Sequence, residues 1–157
     1  MRTGGQPGPE LWIRGPVASA PPRRFSWVGA HGGSGVSTLA AVYGGRDCGR
    51  DWPGPADPPA VLLVGRTHAA GLDAVARALA DLRDGGAAPP HLGLEGVVLV
   101  ADAPGRLPRP LARRVGELEA AVGVYRVPWV SAWRLGDLGG GPPRGTEPLA
   151  RLTEAGH

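Results

Sequence analysis

The sequence predicts an α/β domain: a small, mainly parallel sheet flanked by helices, in three layers. Three observations predict it. Ala60-Val61-Leu62-Leu63-Val64 and Gly96-Val97-Val98-Leu99-Val100 are near-continuous aliphatic runs, the pattern of strands buried on both faces. The stretches Gly71 to Leu82 and Leu111 to Val122 each carry apolar residues along one helical face. Strand and helix then alternate along the chain, an order that calls for crossovers and a parallel sheet.

The chain has 157 residues, with 27 glycines and 18 prolines, and the length suits one domain. Glycine and proline gather at the two ends and in internal loops. Residues 1–23 read as a disordered arm, residues 24–138 as the packed domain, and residues 139–157 as a flexible Gly/Pro-rich tail. Inside the arm, Leu11-Trp12-Ile13 is an apolar island. It reads equally as a docking motif for a protein partner and as a segment that folds back.

The first strand is predicted at Phe25 to Val28. A glycine-rich turn follows, then a helix from about Ser37 to Tyr43, ended by Gly44-Gly45. Residues 46–59 hold four prolines and two glycines and read as a loop. Ala60 to Val64 is the second strand. Gly65-Arg66-Thr67-His68 stands at its carboxyl end, the edge where open parallel sheets bind ligands. Arg66, Thr67 and His68 are therefore site candidates, with helix capping the stronger reading for His68.

Leu72, Val75, Leu79 and Leu82 make the stripe of the next helix, with Asp73 and Arg77 spaced to pair on its wet side. Gly96 to Val100 is the third strand. Asp102 follows it, either as a magnesium-binding carboxylate or, the weightier reading, as a turn residue before Pro104-Gly105. The next helix starts near Pro110, with Arg113 and Glu117 at pairing distance. Val122 to Val127 gives the last strand, stopped by Pro128. Trp129 and Trp133 lie four apart on a helical turn, where both can cover the sheet edge. Base stacking is the minor alternative for them. A short helix is possible at 148–154.

The turn Trp27-Val28-Gly29-Ala30-His31-Gly32-Gly33-Ser34-Gly35-Val36-Ser37-Thr38 organises the rest. Strand, glycine-rich turn and helix form the context in which backbone N–H groups and a helix start hold phosphate. A phosphate-binding loop is the first expectation, in a domain that resembles a reduced P-loop or Rossmann-like unit. Aligned on Gly35 and Ser37, the Walker pattern G-x-x-x-x-G-K-[ST] meets Ala30 at its first glycine and Val36 at its lysine. His31-Gly32-Gly33-Ser34-Gly35-Val36-Ser37-Thr38 more closely resembles the K-G-G-x-G-K-[ST]-[ST] loop of ParA/MinD-type partition and positioning ATPases. Both lysines of that loop are replaced, by His31 and Val36. The chain contains no lysine at all, so all 17 basic side chains other than histidine are arginines. Valine cannot neutralise charge on transferring phosphate oxygens.

The resemblance continues through Val61-Leu62-Leu63-Val64-Gly65-Arg66-Thr67, similar to that family's post-Walker B strand. It extends to Val124-Tyr125-Arg126-Val127-Pro128-Trp129, similar to its closing strand and turn. The two strands carrying the family's switch and Walker B aspartates have no counterpart before Ala60. The resemblance implies a degenerate domain that binds ATP or ADP with Mg²⁺ weakly or not at all, without turnover, as accessory to a larger assembly such as one for DNA transfer or partition. The cradle would be His31, Gly32, Gly33, Ser34, Gly35, Val36, Ser37 and Thr38. His31 and Arg66 would be its cations, and Ser37 and more weakly Asp102 its metal ligands. The overall pattern also resembles a small uncharacterised family from actinomycetes, which implies no activity.

Two other readings stand beside this one. A glycine turn with no ligand would leave a protein-interaction adaptor. Gly29-x-x-x-Gly33-x-Gly35 also fits the turn of NAD(P)-binding short-chain dehydrogenases. That family's Tyr-x-x-x-Lys pair is impossible here, and no acidic residue ends a clear second strand.

Net charge is +3 with a pI near 10.0, a value set by arginine's high pKa rather than a large excess of charge. Arg106, Arg109, Arg113 and Arg114 give only weak support to a nucleic-acid patch. Cys48 is the single cysteine, which excludes an intrachain disulfide and a cysteine zinc cluster. No apolar signal-type run or membrane-length stretch occurs, and a cytoplasmic protein is expected.

Overall fold

The computed structural model describes residues 25–154. A five-stranded, all-parallel sheet forms the middle layer, with helices on both faces. In chain order the elements are β1 (Ser26–Gly29), α1 (Val36–Tyr43), β2 (Arg46–Asp47), β3 (Ala60–Arg66), α2 (Ala69–Asp84), β4 (Gly93–Val100), α3 (Arg109–Ala121), β5 (Val124–Val127), α4 (Ser131–Arg134) and α5 (Glu147–Glu154). The strands lie in the order β2-β1-β3-β4-β5. The α/β class and parallel sheet expected from the aliphatic runs are present.

Alternation along the strands sorts the core into two halves. Trp27, Leu62, Val64, Val98, Val100 and Val127 face α1 and α5, where they meet Leu39, Tyr43 and Leu149. Val28, Val61, Leu63, Val97 and Leu99 face the other way, onto Leu72, Val75 and Leu79 of α2 and Val115 of α3. β3 and β4 are central, and Val61 to Val64 and Val97 to Val100 are buried on both sides, which is why those runs are aliphatic.

The proline-rich stretch 46–59 departs from the expected loop. Its first residues form β2, paired in parallel with β1, and the ladder continues as Cys48 N–H donates to Trp27 O at 3.0 Å. Two residues of strand with charged side chains carry no periodic signal, so the edge strand is invisible in the sequence. The chain then returns to β3 without a helix, laying Cys48 and Trp52 against the α2/α3 half of the core.

The carboxyl-terminal boundary also moves. The packed domain was expected to end at 138, with a flexible tail from 139. Instead α5 puts Leu149 into the core at 1% exposure, and Tyr43 Oη donates to Thr146 Oγ1 at 2.6 Å. Gly139 to Pro143 are a connection, not the start of a tail. The helix pairs differ as well. Asp73 bonds Arg114 on α3 rather than Arg77 on its own helix. Arg126 on β5 pairs with Glu119 at 3.1 Å. The expected arm of residues 1–23, with its Leu11-Trp12-Ile13 island, lies outside the described residues.

Candidate functional site

The strand order fixes where a ligand can sit. β1 lies between β2 and β3. The chain leaves β1 on the α1 face and β3 on the α2 face, so the two connections diverge and open a crevice at their carboxyl ends. Residues 30–35 and 66–68 occupy that crevice.

β1 holds its neighbours to its last residue. Gly29 N–H donates to Gly49 O at 2.7 Å, and Ala30 N–H to Val64 O at 2.8 Å. The chain then turns sharply back over the strand end. A Cβ on Gly29 would stand 2.6 Å from Ser34 Oγ, so only glycine admits the fold-back there. Gly35 closes the turn at φ 98° as the N-terminal cap of α1, without a side-chain cap. This left-handed conformation is open to glycine at little cost.

The consequence is a set of unfilled donors. Among the described residues, none of the N–H groups from Gly32 to Thr38 donates to a protein acceptor. The last of them are the first-turn donors that every helix leaves unpaired, here at the positive end of α1.

Arg66 braces this loop. Its Nε donates to Gly33 O at 3.1 Å and its Nη1 to Ala101 O at 3.0 Å. Its Nη2 lies beside Gly35, 3.5 Å from where a Cβ would stand. The guanidinium therefore lines a cavity of about 360 Å³, shared with Gly33, Gly35 and Thr38 on one side and Trp129, Val130 and Trp133 on the other. The volume lies in the range of small-molecule sites. Arg134 sits over the Trp129 ring at 5.9 Å.

The expected cradle residues divide. Gly33, Gly35, Thr38 and Arg66 line the cavity. His31 is engaged at both ring nitrogens. Its Nε2 accepts the Arg66 N–H at 3.0 Å, and its Nδ1 lies 2.9 Å from Gly32 O. His31 is a clip between the loop and β3. Ser34 turns under the loop, where its hydroxyl is buried and without a partner. Val36 leans toward Gly29 and packs on the core, and Ser37 faces solvent. The hydroxyl residue at the cavity is Thr38, one position further along than the pattern suggested. Its neighbour in a double Ser-Thr was the available signal.

His68 caps α2, its Nδ1 accepting from Gly71 N–H at 2.8 Å, and its ring lies 5.3 Å from that of His31. Asp102 is exposed, with its backbone N–H donating to Thr67 Oγ1 at 3.3 Å. Among the described residues no group of three or more His, Cys, Asp or Glu is placed to hold a metal. β2 does end in an acidic residue, Asp47. It pairs level with Trp27, short of the carboxyl edge, and its Oδ1 accepts from Gly49 N–H at 2.8 Å. The dinucleotide reading gains a strand and no ribose-binding carboxylate. Burial pushes the Cys48 thiol above its ordinary value, which disfavours the nucleophilic thiolate.

Residues 25–150 match the model of a protein family described as "Family of unknown function (DUF6668)". The chain belongs to this family. No curated protein and no solved structure matches it. The DUF6668 match begins at the first described residue and runs into α5, so it spans the glycine turn, the Arg66 brace and the Trp129–Trp133 wall together. No helix among the described residues is long and apolar enough to cross a membrane.

Proposed function

We propose that this chain is a catalytically silent, P-loop-like module that holds the phosphates of a nucleotide without hydrolysing it. In this reading it is a reduced relative of ParA/MinD-type domains, cytoplasmic, and an accessory to a larger protein assembly, with DNA transfer or partition as settings by analogy. The observation that carries it is the run of unpaired N–H groups from Gly32 to Thr38 at the start of α1, with the Arg66 guanidinium alongside. Converging amides and one fixed cation attract phosphate. The aromatic wall of Trp129 and Trp133 across the same cavity favours a nucleotide over inorganic phosphate. Thr38 is better placed than Ser37 to meet Mg²⁺ or a phosphate oxygen. The missing lysine removes the charge that would stabilise transfer, so binding is uncoupled from turnover.

Calorimetric titration with ATP, ADP and pyrophosphate, with and without Mg²⁺, tests the reading. Saturable ATP binding without phosphate release is expected. Arg66→Ala should weaken it about tenfold, the loss of roughly one charge-assisted hydrogen bond. Absence of heat with all three ligands would overturn the proposal and leave the adaptor reading.

A further inference from the structure

A second cavity, of about 630 Å³, opens on the other side of Asp102. It shares Ala101, Asp102 and Pro128 with the first and none of the glycine-loop residues. Its accessible wall is largely apolar: Leu107 and Leu111 are half-buried beside Pro104 and Pro108, with the buried Leu99 and Val115 behind them. Its exposed mouth is cationic. Arg106 comes from the turn after β4, Arg126 from β5 and Arg144 from the connection before α5. Arg126 is balanced by two bonds to Glu119, at 3.1 and 3.2 Å. Arg106 and Arg144 make no direct ion pair among the described residues, although Arg144 is near enough to Glu147 to lower its carboxyl, and Asp102 is the single acidic residue lining the space. Arginine abundance alone does not explain three distant segments bringing guanidinium groups to one opening.

We infer that this cavity is a binding site for a small amphipathic carboxylate, with its hydrocarbon body against Leu107, Pro108 and Leu111 and its anionic head toward Arg106 and Arg144. An apolar concavity with a few convergent polar groups is the usual build of a ligand site. Burying the hydrocarbon supplies affinity in proportion to its area, and guanidinium–carboxylate bonds fix its direction. The site is independent of the nucleotide reading.

Two-dimensional NMR of the whole chain titrated with octanoate tests this. Saturable shifts are expected for Leu99, Ala103 to Leu111, Val127 and Gly145, with Gly33, Gly35 and Trp133 unmoved. Octanol and acetate, each lacking one half of the ligand, should bind far more weakly. The surface variant Arg106→Glu/Arg144→Glu should weaken octanoate by roughly tenfold or more while its spectrum stays folded. Arg66→Ala should leave octanoate binding intact, so the two sites fail separately. Absence of saturable shifts, equal binding of octanol, or indifference to the double charge reversal would overturn the inference.

Discussion

His31 shows how much a single ring can do without touching a ligand. Its Nε2 accepts from Arg66 N–H and its Nδ1 lies against Gly32 O, so it ties the glycine turn to the end of β3. Arg66 in turn reaches back to Gly33 O. The two residues form a closed clasp around the crevice between β1 and β3. His31→Ala leaves the half-buried Arg66 N–H without an acceptor, which costs about 1–3 kcal/mol. The expected result is a lower urea midpoint together with faster amide exchange from Gly32 to Gly35. The variant protein keeps its other guanidinium contacts, so phosphate affinity should fall less than in Arg66→Ala. A larger loss than in Arg66→Ala would show the ring to be a ligand after all. The sequence marked His31 as a lysine replacement because of its position in the pattern. Position identifies the loop, but only the contacts at both nitrogens show the ring tied between Gly32 and Arg66.

At the scale of elements, α5 stands where a short helix at 148–154 was expected, but packed into the core rather than lying in a flexible tail. Its eight residues follow a Gly/Pro-rich connection, and two periodic leucines make a faint stripe. Propensity over so short a segment is weak evidence, since isolated helices of this length do not hold together in water. Tertiary packing decides the matter: Leu149 enters the core beside Leu39 and Tyr43 of α1. Leu149→Ala should therefore destabilise the chain by about 2–5 kcal/mol, the range for a leucine removed from a core. Leu135→Ala, at a position 85% exposed, should change stability little. Urea unfolding of the two variants measures the contrast, and equal midpoints would place α5 outside the cooperative unit. The central strands were legible for the opposite reason. β3 and β4 are covered on both faces, so their burial writes itself into every residue. β2 has two exposed residues and is joined to β1 by backbone bonds, which no side-chain pattern records.

Across the whole molecule, two of the groups with displaced titration, Tyr43 and Glu147, meet at the seam that joins α5 to α1. Glu147 is lowered from its ordinary value because its own backbone N–H and that of Gly145 bind its carboxylate. Asp57, on the opposite side of the sheet edge, is lowered by the Gly54 N–H and then by Arg46. A lowered folded-state value means that the contribution is complete above the ordinary carboxylate range. It fades as pH falls through that range toward the folded value. Tyr43 moves the other way: burial raises its phenol, against the Thr146 bond that lowers it. Its contribution is complete below the ordinary tyrosine range and fades as pH climbs beyond it. Stability should therefore be flat across neutral pH and fall at both ends, with the α5 seam involved each time. Urea midpoints measured from acid to alkaline pH test this. Tyr43→Phe, which keeps the ring and loses the ionisation, should flatten the alkaline fall and leave the acid fall unchanged. Glu147→Gln should soften the acid fall alone. Profiles parallel to the parent in both variants would assign the pH dependence to other groups and separate the seam from it.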